Sequence, residues 1–389
     1  MVTEGMLLEE LNQEEAKQYV GGIIFVTIVM IIGIIGNLHV LFVYTFRIKP
    51  SNHRIFILSL AVLDMITCIV GMPFIIVDLR NPLTFTMVSA CKVLRFVNYF
   101  ICTSSALILT VIAIDRYRKI CVPLGKQFSK RIAKALILVC LGTSMVLSWP
   151  APVLYGHSSI NTTNSNITGV RCFTEDQFKN TQLQVYFNAV LILLVFVVFG
   201  ILLVLYSLIG MVISKHTTFK GSVPGATSSD SSKHKITVST DVSSEDKLVF
   251  KGENVTKNIH GVNLKENELI DLPNASLSVT GTNNTPGILD TKKLEKSKFD
   301  RAKRTAFMFF LITAFFFISY FPHLTLQILA FVKTGFVSNM SFSEKVLYNT
   351  FRWCFFINNM SNCFVYGFCD TRFRTEVKKI YNTLFCRKR

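Results

Sequence analysis

The chain has 389 residues, half of them hydrophobic and only 17% charged, with 34 Phe and a formal net charge of +17. Typical globular proteins carry roughly 25% charged residues. A disordered chain, a secreted disulfide scaffold and an ordinary soluble enzyme are therefore excluded, and the apolar residues fall into runs too long for a soluble core.

The first 19 residues hold five Glu and one Lys and read as an extracellular N-terminus without a cleavable signal peptide. A helix crossing roughly 30 Å of hydrocarbon needs about 20 apolar residues. Seven stretches qualify: Val20–Phe46, Ile55–Val77, Phe96–Ile114, Ala135–Tyr155, Asn180–Ser214, Thr305–Val332 and Val346–Cys369. They lack Asp, Glu, Lys and Arg except for Asp64 in the second and Arg352 in the seventh. The first doubles as an uncleaved signal anchor. The pattern predicts an all-α membrane protein, a bundle of seven transmembrane helices. Short segments on one side carry seventeen Lys and Arg against eight on the other. That bias places the N-terminus outside and the C-terminus in the cytoplasm. The positive charge then faces anionic lipid headgroups, and no nucleic-acid motif accompanies it.

Residues 20–215 thus hold five spans and their loops, 301–369 hold two more, and 370–389 form the tail. Between them, residues 216–300 are rich in Ser, Thr, Asn, Gly and Lys and read as a long disordered third cytoplasmic loop, helical only at its ends. Its Ser/Thr clusters suit phosphorylation or are solvated linker. Topology sorts the Asn-X-Ser/Thr sequons: Asn161, Asn166 and Asn339 are candidates for glycosylation in outside loops. Asn254, Asn274 and Asn283 face the cytoplasm and Asn359 lies in a span, so those four are rejected. Most of the ten Cys are small apolar fillers in helices. Cys91 and Cys172 lie on the oxidising side and are read as a bridge from the fourth-to-fifth loop to the top of span three. Cys386, in the basic tail, is a palmitoylation candidate.

An ionisable group in hydrocarbon marks a site by default. Asp64 sits mid-span, and Asn37, Ser105, Asn358, Asn359 and Asn362 are at comparable depth. One carboxylate ringed by amide and hydroxyl oxygens suits a small cation such as sodium, or else a satisfied polar cluster that packs helices. No other metal or cofactor is expected.

Gly36-Asn37, Leu60-Ala61-Val62-Leu63-Asp64, Asp115-Arg116-Tyr117 with Pro123-Leu124, Tyr206, Phe316, Phe321-Pro322, Asn362 with Tyr366, and Cys91 with Cys172 stand in one order along the spans. In that order they resemble the rhodopsin-like G-protein-coupled receptors, over all seven helices but not the long loop. The chain departs at several family positions: Cys363 replaces the seventh-helix proline, Val198 the fifth-helix proline, and Gly142 the fourth-helix tryptophan. Tyr320 replaces the sixth-helix tryptophan, and Ala302 stands where an acid often meets Arg116. The resemblance implies a short amphipathic eighth helix beginning near Phe373. It implies signalling without catalysis: helix six swings outward about Pro322, and Arg116, Tyr206 and Tyr366 line a cavity for a heterotrimeric G protein. Arrestin and receptor kinases are the further partners it implies, at the plasma membrane.

Helical spacing puts Arg95, Asn98, Tyr99 and Cys102 on one face of span three, Tyr320, His323, Leu324 and Gln327 on one face of span six, and Arg352, Phe355, Phe356 and Asn359 on one face of span seven. By resemblance these faces converge on an outward-opening ligand pocket. Asn98 stands where amine receptors carry Asp, and Phe356 where opsins carry Lys, so a biogenic amine and a retinal Schiff base are excluded. The pocket is basic instead, and the planar fork of arginine suits carboxylate. The leading expectation is a neuropeptide whose acidic group meets Arg352. The runner-up is a small carboxylate or fatty-acid-like lipid; alternatively, Arg352 snorkels or pairs with Glu175 or Asp176. A transporter or channel is the reading from another class, against which no internal repeat is found.

Overall fold

The computed structural model describes residues 2–162, 167–221, 287–333 and 335–386. Asn166, the three rejected cytoplasmic sequons and residues 222–286 of the long loop lie outside them.

In hydrocarbon every backbone N–H and C=O must be paired within the segment, so apolar runs of this length become helices. Helix α1 (Val2–Ala16) leads through a short turn into α2 (Val20–Phe46), the first span. On α2, Ile24, Ile28, Ile31, Ile35, Leu38 and Phe42 recur every three or four residues and stay exposed, while Val26, Val29, Asn37, Val40 and Tyr44 are buried on the opposite face. Apolar residues on both faces mark a helix with lipid outside and protein inside. Arg54 closes the end of α2, donating to Ile48 O at 3.0 Å and Thr45 O at 2.9 Å. Ser51 then caps α3 (Asn52–Ile66), its Oγ accepting from Arg54 N.

The second span is α3, a widened π turn at Thr67–Gly71, and α4 (Met72–Arg80). Pro73 has no N–H to give to Ile69, and the wide turn just before it absorbs that loss. Span three is α5 (Val88–Cys121). Span four is α6 (Lys130–Ser148), followed beyond Trp149-Pro150 by the short α7 (Ala151–Leu154). Strands β1 (Tyr155–Asn161) and β2 (Thr168–Thr174) form an antiparallel hairpin in which His157 opposes Cys172 and Ser158 opposes Arg171. The Cys91–Cys172 bridge is formed, with Cα atoms 5.6 Å apart, and pins this hairpin to the top of α5.

Spans five and six are α8 (Leu183–Gly221) and α9 (Gly287–Val332), so helix reaches into both ends of the segment 216–300. Among the described residues six helical stretches are each long and apolar enough, by length and composition, to cross a bilayer. The seventh apolar run differs from the single helix expected. It is split into α10 (Phe342–Phe351) and α11 (Ile357–Cys369), separated by a tight turn around Cys354–Phe356. Side chains take up backbone groups there: His323 Nδ1 donates to Arg352 O at 2.6 Å, and Cys354 Sγ donates to Ser319 O at 3.0 Å. With Cys363 in place of proline, α11 runs unbroken past that position. The last helix, α12 (Thr371–Cys386), begins two residues before Phe373, whose ring stacks on Tyr44.

The buried side chains form an outer cluster beneath the hairpin and an inner one around Tyr44, Phe309, Phe316 and Tyr366. Close approach of the first span uses glycine: a Cβ on Gly36 would lie 2.3 Å from Cys363 Sγ, and one on Gly33 2.5 Å from Cys68 Sγ.

Candidate ligand vestibule and cytoplasmic cavity

At the outer end, Arg95 of α5 does not stand free in a pocket, which corrects the expectation for it. It donates to Asp78 Oδ2 at 2.8 Å and to Cys172 O at 3.0 Å, with Phe74 and Tyr155 rings 5.8 and 5.7 Å from its guanidinium carbon. It therefore ties spans two and three to the hairpin. Tyr99 OH shares a hydrogen bond with Tyr155 OH at 2.8 Å and reaches Asn188 Oδ1 at 3.4 Å. Arg352 lies over the Trp353 ring at 5.8 Å. It takes neither acid considered for it: Glu175 pairs with Lys92 at 2.8 Å and Asp176 with Lys179 at 2.6 Å. Among the described residues Arg352 has no ion-pair partner. His323 is occupied by Arg352 O, and Gln327 is exposed rather than part of the converging face.

The structure adds Arg171, which span-by-span reading passed over because it lies in a loop. It precedes the bridged Cys172, so the disulfide holds it above span three, and that adjacency was the available signal. Its guanidinium sits 4.7 Å from the Phe173 ring, its Nε is buried without an acceptor, and burial together with Arg352 holds its pKa below the usual arginine value. The N-terminal segment closes over this region. Asn12, only 3% exposed, accepts from Leu83 N at 3.0 Å and donates to Arg80 O at 3.4 Å, and Asn349 donates to Gln18 O at 3.4 Å.

Midway through the bundle, Asn98, Ser105, Tyr320, Phe356, Asn358 and Asn359 line one cavity of about 20 Å³. Residues assigned separately to ligand and cation thus share a single space, large enough for one water-sized particle. Cys102 lines the same space across from Tyr320. Asp64 lies deeper, accepting from Asn362 Nδ2 at 2.7 Å, and does not line that cavity. Asn37 Nδ2 donates to Asn359 O at 2.7 Å, whereas Oδ1 of Asn37, Asn358 and Asn362 are buried acceptors without donors.

At the inner end a cavity of about 740 Å³ opens between α5, α9 and the start of α12. Arg116 lies in its wall, donating to Asp115, which also takes Lys119 at 2.8 Å; the Phe309 ring is 5.2 Å from the Arg116 guanidinium carbon. Ala302 is in the same wall and offers Arg116 no carboxylate. The two tyrosines expected beside Arg116 are not in that wall. Tyr206 OH pairs with Thr313 Oγ1 at 3.3 Å, and Tyr366 OH is buried without a hydrogen-bond partner among the described residues, its ring edge-on to Tyr44 at 5.8 Å. Tyr44 OH donates to Asp370 at 2.7 Å, with His53 Nε2 at 3.2 Å from the same oxygen. Tyr117 packs beside Ile120 and Ile209, while Leu124, next to Pro123, is fully exposed on its loop. Phe316 is buried against Phe317 and Tyr320, below Pro322 in the outer part of α9.

A bundle with seven apolar runs, a hairpin bridged to the third span and an arginine opening onto an inner cavity defines a multi-pass membrane protein of receptor architecture. Residues 36–366 match the family model for the 7 transmembrane receptor (rhodopsin family), and the chain belongs to that family. It is similar to the neuropeptide S receptor of Mus musculus, 24% identical over 210 residues, covering 53% of this chain and 54% of that protein. The cholecystokinin receptor type A of Cavia porcellus is 29% identical over 201 residues, 49% of this chain and 44% of that protein. The nematocin receptor 2 of Caenorhabditis elegans is 29% identical over 136 residues, 33% of this chain and 34% of that protein. The chain spans about half or less of the length of these curated relatives. In fold it is similar to the crystal structure of squid rhodopsin, with a TM-score of 0.62 at 18% identity, covering 96% of this chain and 87% of that one.

Proposed function

We infer that the protein is a receptor in the plasma membrane, N-terminus outside, which an extracellular peptide activates and which passes the signal to a heterotrimeric G protein; it is not an enzyme. The carrying observation is the 740 Å³ inner cavity with Arg116 in its wall, in a chain of this family. A peptide is favoured over a small lipid because the relatives named above include receptors for neuropeptide S and cholecystokinin. An acidic group of the peptide would meet Arg352, which has no carboxylate partner among the described residues. Ligand binding acts by preference for the active arrangement, and moving a 1:99 population to 99:1 needs about 5.5 kcal/mol of preference.

A sodium ion is proposed for these buried oxygens: Asp64 would carry the charge and the donor-free Oδ1 atoms of Asn358 and Asn362 would supply neutral ligands, while Ser105, Asn358 and Asn359 line the small cavity. A bound cation would neutralise Asp64 and favour the arrangement that holds it. Exposed Asn161 and Asn339, with Asn166, are proposed for glycosylation, Cys386 for palmitoylation, and arrestin and receptor kinases as later partners. The test is nucleotide exchange on purified receptor and G protein, screened against peptide pools. Activation by a peptide pool supports the reading. Activation by lipid extracts alone would replace the ligand, and ion flux without exchange would replace the receptor by a channel.

A further inference from the structure

Asp370, at the head of α12, uses both of its oxygens at the inner rim. Oδ1 accepts from the backbone N–H groups of Arg372 at 2.9 Å and Phe373 at 3.4 Å, which caps the helix. Oδ2 accepts from Tyr44 OH at 2.7 Å and from His53 Nε2 at 3.2 Å. An ionised carboxylate can only accept, so the Nε2–H of His53 must point at it and the imidazole is fixed in orientation. One side chain thereby ties the inner ends of spans one and two to the tail helix.

The imidazole so fixed meets span six. Its ring stands perpendicular to that of Phe309 with centroids 5.5 Å apart, an edge-to-face arrangement that aromatic pairs favour. Phe309 is fully buried, and its ring lies 5.2 Å from the Arg116 guanidinium carbon. His53, Asp370 and Arg116 share the wall of the inner cavity, where Ala302 of span six offers no charge. Span six therefore meets Arg116 through a ring, and an anchored imidazole stands against that ring.

We propose that His53 and Asp370 are positioning residues for Arg116: the carboxylate holds the imidazole as a brace against Phe309, and the brace keeps span six seated on the arginine. The inference rests on the receptor reading only for what a loosened span six would signal. A cation beside a ring and an edge-to-face pair both fade over short distances, so a modest displacement of Phe309 forfeits both. Asp370 would not follow it, because its hydrogen bonds lie in spans one and two and in α12. The brace is fixed to one body and set against another, and it weakens as soon as the two part.

The test uses the full chain in lipid nanodiscs without ligand and has two readouts: nucleotide exchange by added heterotrimeric G protein, and amide hydrogen exchange of the receptor alone. His53→Gln keeps a donor for Asp370 and loses the ring; His53→Phe keeps a ring and loses the donor. Each is expected to raise basal nucleotide exchange about threefold and to speed hydrogen exchange in α9 around Phe309, with α6 unchanged. Phe309→Leu removes both ring contacts at similar bulk and is expected to raise basal nucleotide exchange about tenfold. Adding His53→Gln to it should change nothing further, because the brace then has no ring to meet. Wild-type α9 protection in either His53 variant, additive effects in the double variant, or equal loosening of α6 and α9 each overturns the brace. If peptide pools still activate nucleotide exchange in that case, the receptor reading stands without it. Faster α9 exchange, with nucleotide exchange unmoved by every variant and every peptide pool, keeps the brace and removes the receptor reading.

Discussion

At the inner end of the bundle Arg116 lies against Asp115, which also binds Lys119 at 2.8 Å, so one carboxylate serves two cations of the same helix. At the outer end Arg171 and Arg352 come from separate elements and have no carboxylate partner among the described residues. The inner arginine is latched to its neighbour in the wall of a large cavity. Each of the two outer arginines lies over an aromatic ring instead, Arg171 over Phe173 and Arg352 over Trp353. Removing the shared carboxylate should therefore destabilise the inner end more than any single change at the outer one.

The sharpest way to break that contrast is Asp115→Ala, which strands Arg116 and Lys119. Losing one partner of a buried pair costs about 3–5 kcal/mol. Thermal unfolding should shift down and basal nucleotide exchange should rise; an unchanged melting temperature would remove the latch. Gly36→Ala comes next, because the new Cβ would lie 2.3 Å from Cys363 Sγ. Overpacking of this kind costs about 1–3 kcal/mol. Combining it with Cys363→Ala should recover part of the loss, and an absence of recovery in surface expression or melting would show that span one does not meet span seven there.

Asn12→Ala probes the outer cover. It strands Leu83 N–H and should cost about 1–3 kcal/mol locally, read as faster hydrogen exchange across α1 with the inner helices unaffected. The smallest effect belongs to Asp176, whose carboxyl is held below the ordinary range by hydrogen bonds from Lys179 and Ser159. A depressed carboxyl stabilises the fold above its unfolded pKa, and the contribution is lost as pH falls through the folded value. Hairpin protection should thus be flat from neutral pH down to about pH 4 and weaken only in stronger acid. Asp176→Asn should abolish that acid response.

The seven apolar runs were legible because hydrocarbon imposes its condition on each run separately, and a run of twenty residues can be counted without knowing its neighbours. The split of the seventh was not, since it depends on His323 and Cys354 bonding to carbonyls of the facing segments. Cys91 with Cys172 was legible from compartment and placement, yet its consequence for Arg171 was visible only once the hairpin register stood beside it. Spacing on span three put Arg95 on the right face and could not reveal that Asp78 already held it.

By itself the sequence determined the long apolar runs and the family, since length and hydropathy act locally and add along the chain. The tertiary structure alone decided which arginines are neutralised. Charge pairing depends on distance in space, and Arg171, Arg352 and the acids that might have met them belong to elements far apart in the chain.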